Sequence, residues 1–163
     1  MTPAEVRFAA DGMLQSLATW LRLLGYDCVT QAGQSGRRLL EQAAAEDRVF
    51  LTRNLHLSDS LPRALLSRCQ IVYVDNERLS EQVREVVSRY SLDTSTYVFT
   101  CCVECNHPLQ RVDRAEAVGR VPEDVITRET EFWRCQHCAK TFWRGSHVKN
   151  SLERLRQWFP VQK

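Results

Sequence analysis

The chain has 163 residues, 44% hydrophobic and 26% charged, with a formal net charge of +2. That composition belongs to a folded globular chain and excludes a disordered or collagen-like one. The slight net charge does not by itself announce a nucleic-acid partner, so any basic patch has to be local. No segment is apolar enough to span a membrane, and residues 1–10 lack the long apolar run of a secretory signal.

Val6 to Ala10 reads as a short strand ending at Asp11. A helix follows, because Met13, Leu14, Leu17, Trp20, Leu21 and Leu24 recur at three- and four-residue spacing. Gly25 is its expected C-terminal cap. Tyr26 to Thr30 reads as a second strand, and residues 31–36 as a loop with Ser35 as an N-cap. Leu39, Leu40, Ala43 and Ala44 mark a second helix, and Arg48 to Thr52 a third strand. Residues 57–68 read as helix interrupted by Pro62. Ile71 to Val74 is a fourth strand ending at Asp75, and Leu79, Val83, Val86, Val87 and Tyr90 mark another helix.

This alternation predicts βαβ units and a parallel sheet with helices on both faces. In such sheets the functional crevice lies at the carboxyl ends of the strands. Asp11, Thr52, Arg53, Asn54 and Asp75 fall there. A carboxylate, an amide and an arginine suit a hydrated divalent ion and a phosphate. Asp11 reads equally as a helix N-cap, and Asp75 as a surface turn acid.

The polar stretch Ser91 to Ser95 predicts a boundary, giving an α/β domain over 1–92 and a second domain over 96–163. The second domain contains Cys102-Val103-Glu104-Cys105 and Cys135-Gln136-His137-Cys138. Each C-x-x-C turn aims two thiolates at one ion, and two turns complete a tetrahedron around Zn²⁺. The spacing predicts a closed structural zinc ribbon with ligands Cys102, Cys105, Cys135 and Cys138. Asn106 and Ala139, just after the pairs, tolerate the tight turns. Of the other three cysteines, Cys28 and Cys69 read as core thiols, and Cys101 as a non-ligand beside a ligand. Free thiols and thiolate ligands point to a reducing cytoplasm. Tyr97 to Phe99 and Phe132-Trp133 read as strands flanking the two turns, and 111–130 as a charged excursion. A last amphipathic helix runs from His147 or Val148 to Phe159, ended by Pro160.

No Asp or Glu lies between Glu131 and Glu153, while Arg134, Lys140, Arg144 and Lys149 alternate with Trp133, Phe142 and Trp143. Cations bind phosphate and aromatic faces stack on unpaired bases, so this stretch points to RNA. Phe142 and Trp133 also suit the ribbon's own core. His147 reads as an acid–base group, a phosphate donor or a capping residue.

Phe8-Ala9-Ala10-Asp11-Gly12-Met13-Leu14, Leu17-Ala18, Trp20-Leu21-Arg22 and Leu24-Gly25-Tyr26-Asp27 together resemble the Mut-seven C-terminal RNase family. Leu51-Thr52-Arg53-Asn54, Cys102 to Asn106 with Leu109, and Cys135 to His147 extend the resemblance over nearly the whole chain. It implies a PIN-like fold with an appended zinc ribbon, an RNA substrate, and Mg²⁺- or Mn²⁺-dependent phosphodiester hydrolysis. It also implies Asp11 as principal metal ligand, Asn54 as weak ligand or water positioner, and Arg53 as phosphate clamp. Arg22 joins Arg144, His147, Lys149 and Trp143 in the expected RNA-contacting set.

Two positions depart from the family pattern. Its strand-three motif ends in Asp where this chain has Asn54. It places an acid before the Leu-Leu of helix two, where this chain has Gly36-Arg37-Arg38. Asn is a weaker ligand for a hard cation, and arginine repels one. Asp27, Glu41 and Asp75 are the acids that can substitute. The expected function is therefore a ribonuclease-type RNA binder with a partly degraded metal site. The alternatives are an inactive RNA- or ribonucleoprotein-binding module and a protein-interaction adaptor.

Overall fold

The structure, a computed structural model, describes residues 1–31 and 33–160. Ala32, within the loop expected over 31–36, and 161–163, within the expected second domain, lie outside the described residues. The chain divides into two compact units, Met1–Asn106 and His107–Lys163. The division therefore falls after Asn106 and not at 91–95. The reason lies in the hydrogen bonds of that stretch. The Tyr26 hydroxyl accepts from Asp93 N at 2.7 Å, and Phe99 N donates to Leu23 O at 3.0 Å, tying 93–99 back to the first helix.

The first unit is built on four parallel strands, β1 (Phe8–Ala10), β2 (Cys28–Thr30), β3 (Val49–Thr52) and β4 (Gln70–Tyr73), in the order β2-β1-β3-β4. Every residue of β1 and β3 is buried, as central parallel strands require. Ala9 stands beside Phe50 in register. Both pack with Leu39, Leu40 and Ala43 of α2 (Gly36–Ala45) and with Leu57 of α3 (Leu57–Ser60). Phe8, one residue out of phase, makes edge contacts with the Tyr26 and Tyr90 rings at 6.4 and 5.5 Å. There α1 (Gln15–Leu23) packs on β1, β2 and α5 (Leu79–Tyr90). Pro62 splits the 57–68 helix as expected, into α3 and α4 (Arg63–Leu66).

Two expectations fail here for local reasons. Met13 was expected on the buried stripe but is 65% exposed. Residues Gly12–Leu14 form a 3-10 turn before α1, and its tighter winding rotates Met13 off the apolar face. Tyr97–Phe99 was expected as a strand and is a turn, with Phe99 at φ 69°. The turn closes over the end of α1. Gly25 sits there at φ 94°, and a Cβ on it would stand 2.2 Å from Tyr97 O. Gly25→Ala is accordingly expected to destabilise the protein by about 2 kcal/mol or more, read as a lower urea midpoint at unchanged slope. A wild-type midpoint would contradict this packing.

The second unit holds an antiparallel sheet β5-β6-β7 of Leu109–Val112, Phe132–Cys135 and Thr141–Trp143. The charged excursion is not loop alone. It carries α6 (Arg114–Ala117), opened by an Asp113–Glu116 capping box, and α7 (Glu123–Arg128), which starts after Pro122. Ala117, Val121, Val125 and Phe132 form the small core, with Val112, Ile126 and Trp143 against it. The last helix, α8, spans Ser146–Trp158. No helix among the described residues is long and apolar enough to cross a membrane.

Candidate functional sites at the strand ends and the cysteine turns

Asp11 leaves β1 at its carboxyl end, and its backbone N–H donates to Leu51 O at 3.1 Å. Asp11 is 8% exposed, and both of its carboxylate oxygens accept hydrogen bonds. Oδ1 accepts from Met13 N at 2.9 Å, which is the N-cap reading of the sequence. Oδ2 accepts from the Thr52 hydroxyl and from Arg53 N at 3.3 Å. Asn54 N–H in turn donates to Thr52 Oγ1 at 2.9 Å, and Asn54 Oδ1 accepts from His56 N at 3.0 Å. Asp11 and Asn54 therefore line one cleft with Gln31, Met13 and Leu57. Arg53 reaches it only through its backbone. Its guanidinium points to Glu77 at 3.7 Å.

The substitute acids do not complete the cleft. Asp27 precedes β2 and so stands at the opposite end of the sheet. There it pairs with Arg48 at 2.7 Å. Glu41 is held by Arg37 one turn earlier on α2, at 2.9 Å. Asp75 is exposed and does not line the cleft. Among the described residues, the only groups of three or more metal-ligating side chains contain cysteine. One carboxylate that already accepts three hydrogen bonds, and an amide whose oxygen is occupied, do not fit a pair of Mg²⁺ or Mn²⁺ ions.

The cysteine turns present the opposite case. The sulfurs of Cys102, Cys105, Cys135 and Cys138 lie within 4.8 Å of one another. A tetrahedral zinc with Zn–S bonds of about 2.3 Å sets its sulfurs about 3.8 Å apart, so the four fit that ion. Asn106 and Ala139, each just past its pair, both adopt the left-handed conformation, at φ 65° and 58°. No disulfide is present among the described residues. Cys101 is buried but outside the cluster, and Cys28 is fully buried, its thiol pushed up to about 12 by desolvation. The neighbouring His107 and His137 rings stack at 3.8 Å and 4°.

Trp143, His147 and Lys149 line a cleft of about 640 Å³ in the second unit, with Arg128, Glu129 and Gly145. The Trp143 indole needs Gly145, because a Cβ there would sit 2.6 Å from its Nε1. Arg144 lies 6.0 Å over the Trp133 ring and 3.4 Å from Glu131, and Lys149 lies 3.8 Å from Glu129. The acid-free run is thus not acid-free in space. Arg22 is a correction: it is 7% exposed, and its guanidinium donates to the carbonyls of Cys28, Val103 and Glu104. No RNA reaches it. Sequence reasoning missed Gln31, whose Oε1 accepts from Gly12 N at 3.1 Å, and no pattern singles it out.

Comparison with known proteins agrees with this architecture. No curated protein and no solved structure matches the chain. The family model described as the Mut7-C RNAse domain matches residues 6–155, a span holding the parallel sheet, Asp11 and all four cysteines. The chain belongs to the Mut7-C RNAse domain family.

Proposed function

We propose that the protein binds RNA and is of ribonuclease type, but that its own metal-dependent cleavage is weak. One observation carries this reading: among the described residues that line the strand-end cleft Asp11 is the single carboxylate, and it already accepts from three protein donors. The test is cleavage of an unstructured RNA in Mg²⁺ or Mn²⁺ by wild type, Asp11→Asn and Asn54→Asp. Asp11→Asn keeps a capping oxygen for Met13 N but loses the acceptor of Thr52 and Arg53, so its urea midpoint is measured alongside its activity. Wild-type cleavage is expected to be slight in Mg²⁺ and greater in Mn²⁺, the ion more tolerant of nitrogen and mixed ligands. Asn54→Asp raises it, and Asp11→Asn removes it while RNA binding persists. Robust Mg²⁺-dependent cleavage by wild type, lost in Asp11→Asn, would restore a fully active ribonuclease. No cleavage by wild type or Asn54→Asp would leave an RNA-binding module.

The binding surface in this reading is the Trp143, Arg144, His147 and Lys149 face of the second unit. The acids paired with Arg144 and Lys149 do not forbid it. Exposed ion pairs are worth about 0–1 kcal/mol, and a phosphate can replace the carboxylate. Changing Arg144 and Lys149 together to Ala is expected to weaken single-stranded RNA binding several-fold. The slope of log affinity against log salt should fall by about 1.4, at about 0.7 per phosphate contact. An unchanged slope would assign the stretch to structure alone.

A further inference from the structure

We propose that Arg22 and Asn106 are positioning residues that hold the Cys102–Cys105 turn in its ligating shape before any metal binds. The inference is independent of the RNA reading. It rests on contacts made wholly inside the first unit.

Val103 and Glu104 are the two residues between the ligands. Their carbonyls accept from Arg22 Nη1 at 3.0 and 3.2 Å. The same guanidinium is anchored by Nε to Cys28 O at 2.8 Å and by Nη2 to Thr30 Oγ1 at 3.5 Å. Arg22 stands on α1 and its anchors on β2, so helix and strand together aim the fork at the turn. Asn106 closes the turn from the other side. Its N–H donates to Cys102 O at 2.9 Å, and its left-handed φ of 65° is one that Asn tolerates. Its side chain reaches the end of β2. Oδ1 accepts from Cys28 N at 2.8 Å, and Nδ2 donates to Asp27 Oδ1 at 2.5 Å. Asp27 is itself fixed by a two-pronged bond to Arg48, at 2.7 and 2.9 Å. The turn is therefore fastened to α1 and β2 by folded protein.

Charge supports the assignment. Arg22 is 7% exposed, and among the described residues no carboxylate pairs with it. A buried cation without a counter-charge is costly. Zinc bound by four thiolates would carry a net charge of −2, and Arg22 holds the carbonyls of the two residues between Cys102 and Cys105, so such a centre would offset its charge. Lysine cannot reproduce the fork, since its ammonium is a point charge on a flexible stem.

The test measures zinc affinity of the full chain by chelator competition, and cobalt-substituted spectra, for Arg22→Lys, Asn106→Gly and Leu39→Ala. Glycine at 106 keeps the left-handed backbone and removes only the side-chain bonds. Each of the first two is expected to lower affinity about 10- to 100-fold, the usual effect of losing a residue that orients a ligand. Leu39→Ala weakens the same unit away from the turn and should keep wild-type affinity and spectrum. In metal-free wild type, backbone amides of 102–106 should stay protected from hydrogen exchange. Wild-type affinity in both Arg22→Lys and Asn106→Gly, or loss of that protection on chelation, would overturn the proposal. An equal affinity loss in Leu39→Ala would overturn it as well, by showing a general effect of stability.

Discussion

Stripping metal from the purified protein is expected to unfold the second unit and leave the first folded. Among the described residues the second unit's core of Ala117, Val121, Val125 and Phe132 is small, too little apolar surface to stabilise a chain of its length unaided. A structural tetrathiolate zinc contributes about 10–16 kcal/mol at neutral pH, and for so small a lobe that is folding free energy. The first unit has its own sheet, buried on both faces of β1 and β3, and does not need the ion to exist. Chelation, or Cys135→Ser, should therefore abolish exchange protection over 109–143 and retain it in β1 and β3. Elemental analysis should find one zinc per chain in protein prepared without chelator, and Cys101→Ala should keep it. Zinc-free protein with an intact second unit would sink the structural-metal reading.

The parts of this fold legible in the sequence are those with a strong local period or a fixed spacing. Leu14, Leu17, Leu21 and Leu24 recur helically and are all buried. The two C-x-x-C pairs needed no fold to be recognised, because each turn carries its own ligand geometry. Ser35 capped α2 as its type predicts, accepting from Arg38 N. What escaped was set by partners distant in sequence. Val112 and Trp143 lie in β5 and β7, too short for alternation to show; only pairing across β6 defines them. Arg22 looks like a surface cation on an amphipathic helix, yet carbonyls about eighty residues away draw it inside. Arg144 and Lys149 sit in an acid-free stretch of sequence, but the antiparallel sheet and the chain before it bring Glu131 and Glu129 to them. The strand-end cleft was legible in place but not in content. Its position follows from parallel topology. That Asp11 already accepts from three protein donors follows from the hydroxyl of Thr52 and the amides of Met13 and Arg53.

Removing the Arg48 guanidinium is expected to cost about 3 kcal/mol near neutral pH, and that cost should shrink in acid. Arg48 is 7% exposed and binds Asp27 through both carboxylate oxygens, Glu46 through Nε at 2.5 Å, and Phe8 O at 3.2 Å. Arg48→Met keeps much of the apolar stem and strands two carboxylates at the amino end of the sheet. Breaking a buried pair costs about 3–5 kcal/mol, and the lower figure applies because Asp27 is 34% exposed. The pH dependence has a definite sign. Burial opposes ionisation of Asp27, but the hydrogen bonds from Arg48 and Asn106 outweigh it and hold the carboxyl below its usual range. Glu46 is lowered likewise: burial opposes its ionisation, and its bonds to Arg48 and Gln42 prevail. A carboxyl depressed in the folded state contributes stability that is complete above its unfolded pKa, about 4, and lost as pH falls through the folded value. Wild type should therefore lose stability on acidification below about pH 4, while Arg48→Met, without the depressing cation, loses less. Urea midpoints of the two proteins should be separated by a constant gap from pH 6 to 8 and converge toward pH 3. A gap that stays constant down to pH 3 would show that Arg48 stabilises by packing alone, and that the Asp27 pair, and with it the anchor of Asn106, contributes nothing electrostatic.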